Sequence, residues 1–372
     1  MGRVSFANAR VFDGAGFRDG ALVVEDGVVL GYGAAQGHVV DLGGGVLAPG
    51  FLDLQVNGSG GLAVDRDTDL AVLETICTVQ ARLGATGCLP TLITDTYDAT
   101  ARVVEAGIAA TKAQVPGFLG LHLEGPHLDV RRKGAHDAAL IRPMEARDLA
   151  LVIEAAAELP ALMVTVAPES VTAEQIGAMA AAGVVVSLGH TDCSAGVARA
   201  AMAAGARCAT HLFNAMSQMG NREPGMVGAV LGSDGFAGLI ADGVHVDPVV
   251  LRVALAAKRQ GVFLVSDCMA LAGTEETEFH LGGRRILRAG GRLTLADGTL
   301  AGADLTLPQA VRVLVEAAGI APERALAMAS SVPAAVIGRG DLGHLRPGAR
   351  ADMVHLGPDW ALRGVWRGGV AV

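Results

Sequence analysis

Glu124, His190, His211 and Asp267 each stand at the end of an apolar, strand-like run of the sequence. One carboxylate with two neutral imidazoles is a donor set that suits zinc, and it leaves a fourth position for water. An ion held in this way lowers the pKa of its water to roughly 7 and makes it a nucleophile at neutral pH. Asp267 could then take the proton and deliver it to a leaving nitrogen. Taken singly, each residue also has an ordinary reading: a strand-end Asp or Glu caps the next helix, and a lone His is a hydrogen-bonded core residue. Four on one rim are harder to explain that way, because ionisable groups crowded into a low-dielectric mouth are costly without a cation or hydrogen bonds. The pattern reads as a catalytic metal site.

The elements that must position these residues alternate. Apolar runs at 46–56, 87–93, 118–124, 162–167, 184–190, 207–211, 237–241 and 262–267 are separated by Ala-rich stretches of helical spacing, such as 69–83, 173–182 and 248–260. Such alternation predicts a parallel sheet with crossover helices, and eight runs predict a closed (β/α)8 TIM-like barrel, whose strand ends are where barrel enzymes build their sites. Both chain ends have a different character. Short β-type runs cut by Gly or Asp turns fill 4–40 and 345–372, which predicts a small β-domain, a β-sandwich formed by both termini, from 1–50 and 345–372 beside a barrel of 51–344.

Composition narrows the function classes. A net charge of -9 with only three lysines, Lys112, Lys133 and Lys258, argues against a nucleic-acid surface. No apolar run approaches the roughly 20 residues that span a bilayer, so no membrane partner is expected. Residues 1–10 carry no signal-peptide pattern, and five scattered cysteines fit reduced thiols, so a cytoplasmic location is expected.

Several motifs occur in order: Leu121-His122-Leu123-Glu124-Gly125-Pro126-His127, Lys133-Gly134-Ala135-His136, Leu188-Gly189-His190-Thr191, His211-Leu212-Phe213-Asn214-Ala215-Met216, Arg222-Glu223-Pro224-Gly225, Ala241-Asp242-Gly243-Val244-His245 and Val265-Ser266-Asp267. Together they resemble the N-acetylglucosamine-6-phosphate deacetylases of the amidohydrolase superfamily, over nearly the whole chain. The resemblance implies a homodimeric barrel that hydrolyses the acetamide of N-acetylglucosamine 6-phosphate. It implies one divalent metal ion per subunit on Glu124, His190 and His211, Zn2+ first, with Fe2+, Mn2+ or Co2+ as alternatives. By the same resemblance Asp267 is general base and then acid, and His136 polarises the acetyl carbonyl. Ala135 lines the substrate site, and the backbone around Asn214 and Ala215 donates to the sugar phosphate. Arg222 and His245 reach that phosphate from the neighbouring subunit.

Many amidohydrolases carry His-x-His at the end of the first strand. Here those positions are Gln55 and Asn57, so one metal-binding pair is missing and a single ion is expected. No lysine stands at a strand end, which argues against a carbamylated-lysine bridge and Schiff-base chemistry. His122 shares strand parity with Glu124 and is expected to be a buried supporting group, not a ligand. Two other readings stay open: an amidohydrolase acting on another N-acyl hexosamine phosphate or a cyclic amide, and an inactive sugar-phosphate-binding barrel.

Overall fold

Eight parallel strands form the central sheet: β1 (Phe51–Val56), β2 (Ala85–Ile93), β3 (Leu121–Glu124), β4 (Leu162–Val166), β5 (Val185–Leu188), β6 (Cys208–Ala209), β7 (Phe236–Leu239) and β8 (Val262–Leu264). The computed structural model describes residues 2–372. Each strand pairs with its sequence neighbour. The ring closes just beyond β8, where the Asp267 amide donates to the Gln55 carbonyl at 3.1 Å and the Asn57 amide to the Cys268 carbonyl at 2.9 Å. The fold is thus a (β/α)8 barrel.

Local chemistry starts five of the helices around the barrel. Asp69, Thr96, Thr172, Ser194 and Asp247 precede helices Leu70–Arg82, Tyr97–Lys112, Ala173–Ala181, Ala195–Ala203 and Pro248–Ala257, and each side chain accepts from a first-turn amide. Apolar residues on these helices, among them Ile76, Val103, Ile176 and Leu251, join strand residues such as Leu54, Leu123, Val186 and Leu264 in the main buried cluster. The strand ends are held on a well-packed wall.

Three expectations change. The run 46–56 is two strands: Val46–Pro49 pairs with Met353–Leu356 and with the Arg10–Phe12 strand, whereas Phe51–Val56 enters the barrel. Gly50 makes the passage because the Thr86 hydroxyl lies only 2.0 Å from where a Cβ would sit. The runs 184–190, 207–211 and 262–267 leave the ladder early, so His190, His211 and Asp267 lie past it, with φ of +47°, +28° and +51°. Finally, 51–344 holds more than a barrel. After β8 the chain makes a four-stranded antiparallel sheet of Glu278–Leu281, Arg284–Ala289, Arg292–Thr294 and Leu300–Ala303. Its buried side packs Leu281, Ile286 and Leu293 onto Met269 and Leu271, with Ile93 and Ala135 at the margin.

The chain ends contribute two further sheets. Val4–Ala7, Ala21–Glu25, Val28–Gly33 and His38–Asp41 make one; Val46–Pro49 and Met353–Leu356 are central in the other. Phe6, Leu22 and Val24 of the first pack with Val11, Leu47 and Met353 of the second in one buried cluster. Among the described residues no helix is long and apolar enough to cross a membrane.

Candidate active site

Glu124 is the last residue of β3, and its Oε1 lies 3.2 Å from His190 Nε2 and 3.0 Å from His211 Nε2. The two Nε2 atoms are themselves 3.1 Å apart. All three residues are buried. His190 shows what this triangle requires. Its Nδ1 meets the Arg132 carbonyl at 2.7 Å, and because a carbonyl only accepts, Nδ1 carries the proton. In the neutral ring Nε2 is therefore a lone pair, aimed at a carboxylate oxygen and a second imidazole nitrogen. A single proton satisfies only one edge of such a triangle. A divalent cation satisfies all three donors, so the residues fit the metal that their types suggest.

The charges are arranged to suit. Burial alone would raise the Glu124 pKa, but hydrogen bonds to His190 and His211 hold it well below the usual carboxylate range. Burial would lower the His211 pKa, and the Glu124 carboxylate raises it instead. Asp267 is pushed up to about 6, first by burial and then by the negative charge of Glu124.

Gln55 and Asn57 act as amide donors. Asn57 Nδ2 donates to Asp267 Oδ1 at 2.7 Å, while Gln55 Nε2 reaches Asp267 Oδ1 at 3.1 Å and both oxygens of Glu124 at 3.2 Å. Gln55 thus bridges the two carboxylates with neutral N–H groups where imidazole lone pairs would build a second metal site. The expected consequence is about one tightly bound divalent ion per chain by elemental analysis. Two tight ions, both needed for activity, would contradict it.

His122 stands apart from the triangle. Its Nδ1 donates to the Leu54 carbonyl at 3.1 Å, and its Nε2 lies 2.7 Å from Thr165 Oγ1. Burial pushes its pKa down to about 4, so it is a neutral support. From Thr165 a chain of hydroxyl contacts continues to Thr210 and Ser187, each step at 2.6 Å. The sequence reading missed these three residues, since nothing in their spacing separates them from ordinary strand hydroxyls.

A cavity of about 240 Å³ opens over the triangle. It is lined by Asn57, Glu124, Ala135, His136, His190, His211, Asn214, Ala215, His245 and Asp267 together with Leu281, Thr299, Leu300 and Ala301. The last four belong to the inserted sheet or the loop leading into its last strand. The Gly282-Gly283 and Gly290-Gly291 pairs between alternating apolar residues were the sequence signal for its hairpins. Burial, and then His190, pushes the His136 pKa down to about 3, so the ring is neutral.

The bend that carries Asn214 and Ala215 is unusual in its backbone. Phe213 and Ala215 have φ of +79° and +50°, which with His190, His211 and Asp267 places at this site five of the nine positive-φ non-glycine residues among those described. Strain of this kind persists where the surroundings over-determine it, commonly at functional sites. The Asn214 amide is already used by the His211 carbonyl at 2.9 Å. Among the described residues the Ala215 amide has no acceptor, and it is a free donor in a bend that lines the cavity.

His245, expected from the neighbouring subunit, lines the cavity of its own chain, with Nδ1 held by Asp242 at 2.6 Å. Arg222 is not brought in. It is exposed, outside the cavity lining, and without a hydrogen-bond or ion-pair partner among the described residues.

The amidohydrolase family is matched over residues 46–372. The chain is 37% identical to an N-acetylgalactosamine-6-phosphate deacetylase of Shewanella sp. (strain ANA-3), over 94% of this chain and 90% of that one. It is 34% identical to an N-acetylglucosamine-6-phosphate deacetylase of Haemophilus influenzae, over 87% and 86%. The crystal structure of N-acetylglucosamine-6-phosphate deacetylase from Pasteurella multocida superposes with a TM-score of 0.94 at 32% identity, covering 100% of this chain and 99% of that one.

Proposed function

Because the chain belongs to the amidohydrolase family and, within it, to the hexosamine 6-phosphate deacetylases, we propose that it hydrolyses N-acetyl-D-glucosamine 6-phosphate to D-glucosamine 6-phosphate and acetate. The reaction belongs to amino-sugar catabolism and cell-wall sugar recycling, and we place it in the cytoplasm. The observation that carries the reading is the juxtaposition of the Glu124, His190 and His211 donor triangle with a separate carboxylate, Asp267, held beside it by Asn57 and Gln55.

A divalent ion on Glu124, His190 and His211, Zn2+ in the first instance, supplies Lewis acidity and an activated water. Asp267 accepts the proton of the attacking water and returns it to the amine nitrogen as the C–N bond breaks. Its environment suits both halves, since a carboxyl titrating near 6 is mostly ionised at neutral pH yet still basic enough to carry a proton. His136 faces the same cavity and donates to the acetyl oxygen as it gains negative charge.

The phosphate lies at the end of the cavity away from Asp267. Ala135 forms part of the sugar wall, and donors come from His245 and from the Ala215 amide, in the bend that Asn214 ties to the His211 carbonyl. Arg222 of a neighbouring subunit completes the phosphate site in a homodimer, which gives this exposed, unpaired guanidinium a task. Arg222→Ala is expected to raise KM for the 6-phosphate by roughly 10- to 100-fold, the worth of one or two charge-assisted hydrogen bonds. Activity on unphosphorylated N-acetylglucosamine should hardly change. A uniform fall on both substrates would remove Arg222 from the phosphate site.

A second reading concerns the sugar, and the N-acetylgalactosamine-6-phosphate deacetylase among the relatives favours it. Acetate release from the 6-phosphates of N-acetylglucosamine and N-acetylgalactosamine, with their unphosphorylated parents as controls, tests both. Preference for the gluco 6-phosphate supports the first reading and preference for the galacto epimer the second. Binding of either without acetate release would point to an inactive sugar-phosphate-binding barrel.

A further inference from the structure

Thr94, the residue directly after β2, takes no part in the motifs above, and its side chain is buried. Its Oγ1 lies 2.7 Å from His136 Nδ1, and its backbone amide donates to the same nitrogen at 3.3 Å. A backbone N–H cannot accept, so Nδ1 presents a lone pair and carries no proton. The hydroxyl therefore donates too. An imidazole whose Nδ1 is an acceptor holds its single proton on Nε2, and no hydrogen bond to another described residue occupies that atom of His136, which lines the cavity.

We propose that Thr94 is a positioning residue that fixes His136 in the Nε2–H tautomer, so that the ring presents a donor to the acetyl oxygen. The other tautomer would turn a lone pair toward that oxygen and repel it as its negative charge grows. The inference rests on the deacetylase reading for its consequence in catalysis, but the tautomer itself does not.

The surroundings are shaped around this contact. At Gly125, which follows the ligand Glu124 with φ of +90°, a Cβ would lie 2.3 Å from Thr94 Oγ1, so the missing side chain makes room for the hydroxyl. The loop that carries His136 is held from the other side by Arg284 of the inserted sheet, whose Nη2 donates to the Ala135 carbonyl at 2.6 Å. The His136 amide itself donates to the Lys133 carbonyl at 2.9 Å. The ring is thus pinned by its own loop, by the inserted sheet and by Thr94, and among the described residues only Thr94 hydrogen-bonds Nδ1.

The test compares wild type, Thr94→Val and Thr94→Ser, each loaded with metal. Thr94→Val keeps shape and the weaker amide contact but removes the hydroxyl. Nitrogen-15 spectra of the His136 ring read the tautomer without any substrate. Wild type and Thr94→Ser are expected to show an unprotonated Nδ1 and a protonated Nε2, and Thr94→Val a mixture of the two forms. On acetate release, kcat of Thr94→Val should fall roughly tenfold with KM within about twofold, and Thr94→Ser should recover most of it. A protonated Nδ1 in wild type would overturn the proposal, and so would Thr94→Val with wild-type spectra and kcat. If wild type released no acetate from any hexosamine 6-phosphate, the deacetylase reading would fail while the spectra still decided the tautomer.

Discussion

Asp267→Asn is expected to lower kcat for acetate release on the order of 10³-fold while leaving metal content near wild type. General acid and base groups contribute roughly 10²–10⁴-fold, and here one carboxylate serves both steps. The amide keeps the size of the side chain and an oxygen to accept from Asn57 and Gln55, but it cannot take a proton. Stability separates this outcome from a folding defect. The Asp267 carboxyl is pushed up to about 6 in the folded chain, so the ionised form is disfavoured by folding. The sign follows: the favourable contribution of a raised carboxyl is present at low pH and is lost as pH rises through about 6. At neutral pH a neutral amide therefore removes an unfavourable charge, and the metal-free variant should unfold no more easily than metal-free wild type. A variant that kept near-normal kcat with its metal bound would remove Asp267 from the mechanism.

Glu124→Gln is expected to abolish both metal retention and activity. The carboxylate is the only anion among the three donors, and both imidazole Nε2 atoms converge on one of its oxygens. An amide offers a weaker oxygen and an N–H2 that competes for the same lone pairs. Metal analysis after gel filtration should find well under one ion per chain. Acetate release should fall by 10³-fold or more, because the Lewis acid and the activated water disappear together, a loss of several kcal/mol. His122→Asn is the companion variant. His122 touches Leu54 and Thr165 and not the triangle, so metal should remain bound, with a smaller fall in rate.

The barrel was legible because apolar runs and helical stretches alternate along the chain. Glu124, His190, His211 and Asp267 stood out for a related reason: ionisable groups at the ends of apolar runs have no cheap structural explanation. Less legible was what depends on packing across the chain. The run 46–56 reads as one strand, whereas its halves pair in two different sheets on either side of Gly50, which packs closely against Thr86. The inserted sheet hides in residues 278–303 because its short strands alternate exposed charges with single apolar positions, and such a pattern does not belong to a parallel barrel. The resemblance implies that His245 comes from a neighbour, whereas the turn fixed by Asp242 directs it into its own cavity. Thr94 carried no signal, since a hydroxyl acting on another residue's ring nitrogen is visible only when residues 42 positions apart meet.

The most direct test is proton NMR of N-acetylglucosamine 6-phosphate incubated with the purified, metal-loaded protein, then with the chelated protein, then after Zn2+ is restored. Acetate and glucosamine 6-phosphate are expected to appear in equal amounts, to stop forming on chelation and to resume when the ion returns. An unchanged substrate spectrum from protein carrying its full complement of metal would contradict the account.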